Sequence, residues 1–169
     1  KIVISSNKND ILTRFFYSGK MSVRKTEKSL SPSMDIQVSS NFERLLYHFF
    51  KKPSKIQNIF NDLEEKGIFE VDSNTLNSLK IYFKYGRLND EGTLNAIETI
   101  YSKFNLVIDP HTAVGYAVGK KILADNMKRI YLATAHHSKF IDSVKKVVEE
   151  KIKLPSSIEG VLKKKEDFY

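Results

Sequence analysis

Four stretches of this chain carry side chains whose type and spacing can do chemistry. The first, LSPSMDIQVSSNFER at 30–44, sets Ser31, Ser33, Asp35, Ser39, Asn41 and Arg44 along a segment that runs into an amphipathic pattern. Hydroxyls and backbone N–H groups ahead of a helix can hold an anion, and an arginine such as Arg44 can fork onto a phosphate. The same residues have an ordinary reading. Ser40-x-x-Glu43 is a capping box with Ser40 or Asn41 as N-cap, and Ser31-Pro32 is a turn. Capping leaves Met34-Asp35-Ile36 and Ser39 unexplained. The second stretch is Ala133-Thr134-Ala135-His136, a lone hydroxyl between alanines at the end of an apolar run. There it can bond a ligand beyond a strand end or satisfy a local backbone group. The third, Asp109-Pro110-His111-Thr112, is a helix cap at another strand end, and Asn7, Asn9 and Asp10 form a fourth polar edge that also reads as capping. If the strands are neighbours, these clusters line one crevice.

The elements that must position them follow from periodicity and punctuation. Ile2 to Ile4 read as a buried strand, followed by a helix through Tyr17 that Gly19 ends, then a second strand over 22–28. Phe42, Leu45, Leu46, Phe49 and Phe50 have helical spacing up to Pro53. Ile56 to Leu63, Leu76 to Phe83 and Leu94 to Tyr101 predict three more helices, the first ended by Gly67 and the last opened by Asn89 with an acidic first turn. After residue 105 the texture changes. Leu106 to Ile108 predict a strand, Asp109-Pro110 a helix start, and Ala113, Ala117, Gly115 and Gly119 give narrow helix faces that can approach a sheet. A buried strand over 129–135, a helix over 139–150 and a short exposed helix in the tail complete the pattern. The chain thus divides into 1–52, the start of an α/β portion; 53–105, a helical insertion; and 106–169, an α/β portion with C-terminal helices. Strands alternating with helices predict the α/β class with a crossover-connected sheet.

Composition excludes several classes. The 169 residues contain no cysteine, so there is no disulfide framework and no thiolate chemistry. Adjacent His136 and His137 point different ways, and no metal site is expected. No apolar run is long enough to span a bilayer, and no membrane partner is expected; a cytoplasmic location is. The formal charge of +8 is compatible with a polyanion partner, yet only five of 28 basic residues are arginine, the residue that forks onto bases and phosphates. Nucleic acid is therefore not the expected partner. KIVISSN begins inside a strand pattern without methionine, so the expectation is the back part of a longer protein. The sequence carries no signal that sets an oligomeric state.

SSNKNDIL at 5–12, LSPSMDIQVSSNFERLL at 30–46, DPHTAVG at 109–115 and LATAHHSKF at 132–140 resemble, in order, motifs of the threonine synthase family. Outside 53–105 the resemblance covers most of the chain, and the 30–46 stretch is its most specific part. It implies the fold-type II class of pyridoxal 5'-phosphate (PLP) enzymes, with helices on both faces of the sheet. It also implies the conversion of O-phosphohomoserine and water to threonine and phosphate. The family's Schiff-base lysine and Gly-rich phosphate loop belong to its upstream half, so no catalytic residue is assigned here and this chain alone is expected to be inactive. By resemblance, Thr134 matches the hydroxyl that bonds the pyridine nitrogen, and Asp109 and Asn9 stand on cofactor-side loops. Ser31, Ser33, Asn41 and Arg44 border the cleft for a small phosphosubstrate. Two departures are mild: His137 stands where the family often has proline, and Ser6 where it often has threonine. Two other readings stay open. One is a threonine synthase-like phospho-lyase that makes a keto acid from a phosphorylated amino acid. The other is a non-enzymatic basic interaction domain, whose polyanion binding would be salt-sensitive.

Overall fold

The computed structural model describes residues 1–148, 152, 155–156, 160–161 and 164–167. Strand β1 (Ile2–Ser6) leads into helix α1 (Ile11–Ser18), whose buried stripe is Ile11, Phe15 and Phe16. Gly19 ends α1 with φ of 81°, a left-handed conformation that glycine adopts without steric cost, and its N–H donates to the Phe15 carbonyl. A short strand β2 (Lys20–Ser22) follows. The strand expected over 22–28 is therefore displaced: pairing involves 20–22, and residues 24–29 have no regular structure. Three residues, Pro32–Met34, form a 3-10 turn.

Helices α2 (Ser40–Phe50) and α3 (Pro53–Lys66) meet at Lys51, which is left-handed, and Pro53 opens α3 at its first turn. The expected capping box does not form. The N-cap of α2 is Ser39, with no side-chain cap bond, which places Glu43 one position too far along to reach back. Next come β3 (Ile68–Glu70), α4 (Ser73–Tyr82), β4 (Phe83–Arg87) and α5 (Asp90–Phe104). The 53–105 stretch is thus not purely helical. Both of its strands find partners in the first 22 residues: β3 pairs antiparallel with β2, and β4 pairs parallel with β1, Ile2 opposite Phe83 and Ser6 opposite Arg87. Phe83 and Tyr85 carry the period-2 alternation of a strand, yet short apolar runs next to a helix do not reveal it locally.

The β1–β4 pair is covered on both faces. Phe83 and Tyr85 point to α1, where the Phe16 ring lies 5.6 and 5.7 Å from theirs. Gly86, facing the opposite way, lets helix α6 (Pro110–Ile122) close in. A Cβ at Gly86 would stand 2.7 Å from Ile122 Cδ1 and 2.9 Å from Val118 Cγ1. The close approach is therefore provided mainly by the strand glycine. Among the small residues of α6, Gly119 admits the Tyr131 ring and Ala113 packs into a core with Ala96, Ile97, Val144 and Val148. The larger core lies on the other face, with Phe15, Phe16, Phe42, Leu46, Leu63, Phe69 and Leu79 buried together. Each such side chain contributes roughly 2–3 kcal/mol of transfer free energy.

Three further expectations are corrected. Ile2 is 60% exposed, so β1 is buried only toward its C-terminal end. Residues 106–108 and 129–135 form no strand. Ile130 and Leu132 are 93% and 79% exposed while Tyr131 turns inward onto Tyr116. The alternation of a strand is present at 129–135, but among the described residues no neighbouring strand supplies a hydrogen-bond ladder. The helix expected over 139–150 is a 3-10 turn at His137–Phe140 followed by a single-turn helix α7 (Ile141–Val144). Residues 149–150 and most of the expected tail helix lie outside the described residues.

Candidate functional site

The site is built where β1 ends. Asn7 is 2% exposed, and its amide nitrogen lies 2.7 Å from Ser29 Oγ, 3.0 Å from Ser31 Oγ, 3.3 Å from the Ser31 carbonyl and 2.7 Å from Asp35 Oδ1. Two amide hydrogens serve four acceptors, so these bonds are shared. Asn7 Oδ1 accepts from the Asn9 N–H at 2.8 Å, an Asx turn that carries the chain round to α1. Asn9 in turn donates to the Glu27 carbonyl at 2.8 Å and to Asp35 Oδ1 at 2.9 Å, and accepts from the Glu27 N–H at 2.8 Å.

Asp35 is the hub. Its Oδ1 also accepts from Ser29 Oγ at 2.5 Å, and its Oδ2 accepts from the Ser29 N–H at 2.8 Å. Asn7, Asn9 and Ser29 can all donate to it, the pattern of an acceptor-only carboxylate. Asp35 therefore ties the loop at 27–35 onto the end of β1, which answers what capping left unexplained in the sequence. From α5, Asp90 adds a second tie: it accepts from the Leu30 N–H at 3.1 Å and from Lys8 Nζ at 3.0 Å.

Asp109 starts α6 and is 2% exposed. It accepts from the His111 N–H at 2.9 Å, from the Thr112 N–H and from the Thr112 hydroxyl, and faces His111 Nδ1 at 2.8 Å. Burial works to raise its pKa, but the bonds from His111 and Thr112 outweigh that and hold the carboxyl below its ordinary value of 3.8. His111 Nε2 accepts from the Ser33 backbone N–H at 3.1 Å. The imidazole proton must then sit on Nδ1, pointing at Asp109. The Phe140 ring lies 4.6 Å from the His111 ring. His136 Nδ1 faces Ser138 Oγ at 2.7 Å and accepts from the Ser138 N–H at 3.2 Å, which caps the 3-10 turn that carries Phe140. Burial and the neighbouring His136 push the His137 pKa down from 6.5.

The seven residues singled out from sequence separate into two groups. Ser31, Asn9 and Asp109 are buried and bonded within the hub or the α6 cap. Ser33, Asn41, Arg44 and Thr134 are exposed. Ser33 sits over His111 through its backbone, while Arg44 lines an open groove of about 650 Å³ between α2 and α3 with Glu43, Gln57 and Phe60. No hub residue lines that groove. Sequence reasoning noticed Asp35 without its partners and missed Ser29, Gln37, Asp90 and Arg87. Arg87 gave no signal because it falls between the helix expected to end at Phe83 and the cap at Asn89, where no strand was expected. Asp90 read only as an acidic first turn.

The family described as threonine synthase, C-terminal, matches residues 112–169. Threonine synthase of Saccharomyces cerevisiae is 36% identical over 99% of this chain and 38% of its own length. Human threonine synthase-like 1 is 31% identical over 89% of this chain and 21% of its own. The crystal structure of PLP-bound threonine synthase from Brucella melitensis superimposes with a TM-score of 0.91 at 34% identity, covering 99% of this chain and 36% of that one. The chain thus spans well under half the length of these relatives.

Proposed function

We propose, for a chain that corresponds in sequence and fold to the C-terminal portion of the threonine synthases, that it supplies one wall of a site converting O-phosphohomoserine and water to threonine and phosphate. One observation carries this reading: contacts link the four motif stretches in series, from Asn7 through the 29–35 loop to His111 and Phe140. Asn7 of the first bonds Asp35 and Ser31 of the second, Ser33 of the second bonds His111 of the third, and Phe140 of the fourth packs on His111. Segments far apart in sequence are thereby joined between the end of β1 and the start of α6, beside the strand ends where open α/β sheets bind ligands.

The residues present fit PLP along one edge only. Thr134 is an exposed neutral hydroxyl on a segment anchored to α6 through Tyr131, of the chemistry that suits an aromatic ring nitrogen. A neutral hydroxyl leaves that nitrogen without a proton. Asp109 and Asn9 act one step back: their side chains are engaged in shaping the α6 cap and the 27–35 loop, and so set the surface that a cofactor would face. Bound PLP supplies an electron sink for carbanions. Ser31 and Asn7 fix the backbone of the 3-10 turn at Pro32–Met34, leaving the exposed Ser33 hydroxyl as the turn's polar contribution to the cleft. Asn41 and Arg44 are exposed on α2, with Arg44 in the separate groove against α3, and their part in holding the phosphosubstrate rests on the motif resemblance alone. We further propose that turnover requires the lysine-bearing portion of the relatives. The second reading is a threonine synthase-like phospho-lyase that makes a keto acid from a phosphorylated amino acid; the chain's similarity to a relative named threonine synthase-like 1 keeps it beside the first.

The test is phosphate release from O-phosphohomoserine with PLP, followed by product identification. The chain alone is expected to release none. Together with the lysine-bearing portion it is expected to release phosphate and threonine in equal amounts. A keto acid in place of threonine selects the second reading, and no release from the combined protein refutes both.

A further inference from the structure

A second feature of the β1–β4 strand ends belongs to none of the four motifs' expected roles. A cleft of about 580 Å³ runs from Arg87, the last residue of β4, along α1 to Lys20, and is lined by four cations, Arg14, Lys20, Arg24 and Arg87, against a single carboxylate, Asp10. That carboxylate is 7% exposed and already engaged. Its Oδ1 accepts from Arg14 Nε at 2.8 Å and its Oδ2 from Arg87 at 2.6 Å. Arg14 is fixed further by bonds to the Ser22 carbonyl at 3.0 Å and to Gln37 Oε1 at 3.4 Å. Gln37 also accepts from the Arg24 backbone N–H at 3.3 Å, so the loop that carries Arg24 is tied to the same network.

Arg87 differs from Arg14. Its side chain is 65% exposed, and only one of its terminal nitrogens is bonded to Asp10. A buried carboxylate thus holds a guanidinium in place while most of its fork faces solvent, the geometry in which arginine recognises a phosphate group. Lys20 is half-exposed and only loosely paired with Glu70 at 3.7 Å. Thr13 and Ser18 do not compete for this role, because their hydroxyls donate to the Gly86 and Arg14 carbonyls. Tyr85 forms part of the wall, with Lys80 Nζ 5.9 Å from its ring centre. The surplus of cations, the pre-set fork and the location at the carboxyl ends of parallel strands agree with one another.

We infer that this cleft is a binding site for a small phosphate-bearing anion, held by Arg87 and Arg24, with Asp10 and Arg14 as positioning residues. The inference stands on the cleft's own geometry and does not depend on the reaction proposed above. Its test needs neither cofactor nor turnover, so the two can fail separately.

The experiment is calorimetric titration of the protein at fixed ionic strength, first with inorganic phosphate and then with O-phosphohomoserine. Saturable binding of phosphate is expected, with affinity falling about ten-fold or more in Arg87→Ala and in Arg24→Ala, the loss of one charge-assisted contact. Arg87→Lys keeps the charge without the fork and is expected to fall nearly as far. Lys120→Ala, on the exposed side of α6, is expected to bind like the parent. Tighter binding of the phosphomonoester identifies the ester as occupant, and equal binding identifies the phosphate group alone. Arg24 is exposed on an irregular segment, so Arg24→Ala keeps the test decisive if Arg87→Ala disturbs folding. The inference is overturned by absence of saturable binding, or by binding that Arg24→Ala leaves unchanged and that an equal ionic strength of chloride abolishes.

Discussion

Replacing Asp35 by asparagine changes a single oxygen to an amide nitrogen and should nonetheless loosen the whole polar wall. In the folded protein Oδ1 faces three donors, from Asn7, Asn9 and Ser29, and Oδ2 faces the Ser29 N–H. The new amide has one good orientation, with its oxygen toward the three and its NH2 toward the Ser29 N–H. One charge-assisted bond is then lost and a donor is left facing a donor, a cost of roughly 1.5–3 kcal/mol. The other three contacts become neutral and lose about half their strength. The combined expectation is destabilisation of about 3 kcal/mol, less than a simple sum because the bonds share one network. Urea unfolding measures it: the midpoint should fall at unchanged m-value. Asp125→Asn provides the contrast, because Asp125 is 93% exposed beside Arg129 and should change stability by less than about 0.5 kcal/mol. An Asp35→Asn protein within about 0.5 kcal/mol of the parent would refute the ionised hub, and with it the reason the 27–35 loop is held against β1.

Three other outcomes follow from the same geometry. Asp109 has its pKa held below 3.8 in the folded state, so its stabilisation is complete above that value and is lost as pH falls through the folded value; Asp109→Asn should flatten this acid limb of an unfolding-versus-pH series. His137 titrates below 6.5 in the folded chain, so the unfolded state takes up a proton first and stability should drop as pH falls from about 6.5. His137→Gln should remove that drop, which urea midpoints at pH 7.5 and 5.5 would show. Gly86→Val forces a side chain toward Ile122 and Val118 and should cost about 1–3 kcal/mol, read as a lowered thermal midpoint; an unchanged midpoint would mean that α6 does not lie against β4.

The helix boundaries were largely legible because their causes are local. Gly19 and Gly67 end helices in left-handed conformations, Asn89 caps α5 through the Gly92 N–H, and Asp109 with Pro110 starts α6. Each signal lies within a turn of the event it controls. The capping box at Ser40 shows the limit of this kind of reasoning. The residue types were right, but the chain enters α2 one residue earlier, with Ser39 as cap, and the reciprocal bond cannot form.

The strands were harder. Phe83 read as the end of a helix and 84–87 as no element of their own, yet 83–87 became β4, whereas 129–135 read as a buried strand and formed none. Local composition favours the second over the first. The difference is the partner: β1 presents a parallel edge to 83–87, while no described strand lies beside Ile130 and Leu132. Strand formation is decided by a ladder whose other half is distant in sequence.

By itself, then, the sequence determined most of the helices as far as α6, the caps at Asn89 and Asp109 and the stops at Gly19 and Gly67, because these depend on contacts a few residues apart. Only the tertiary structure decided that Asp35 is the acceptor for Asn7 and Asn9, that His111 joins Ser33 to Asp109, and that Asp10 holds Arg87 at a cleft with Arg24. Each of these pairs or clusters bridges separate elements, and a hydrogen bond between distant residues leaves no trace in the spacing along the chain. It is set by where packing of the apolar faces of α1, α6 and the β1–β4 pair brings the backbone, after which buried polar groups must find the partners left within reach.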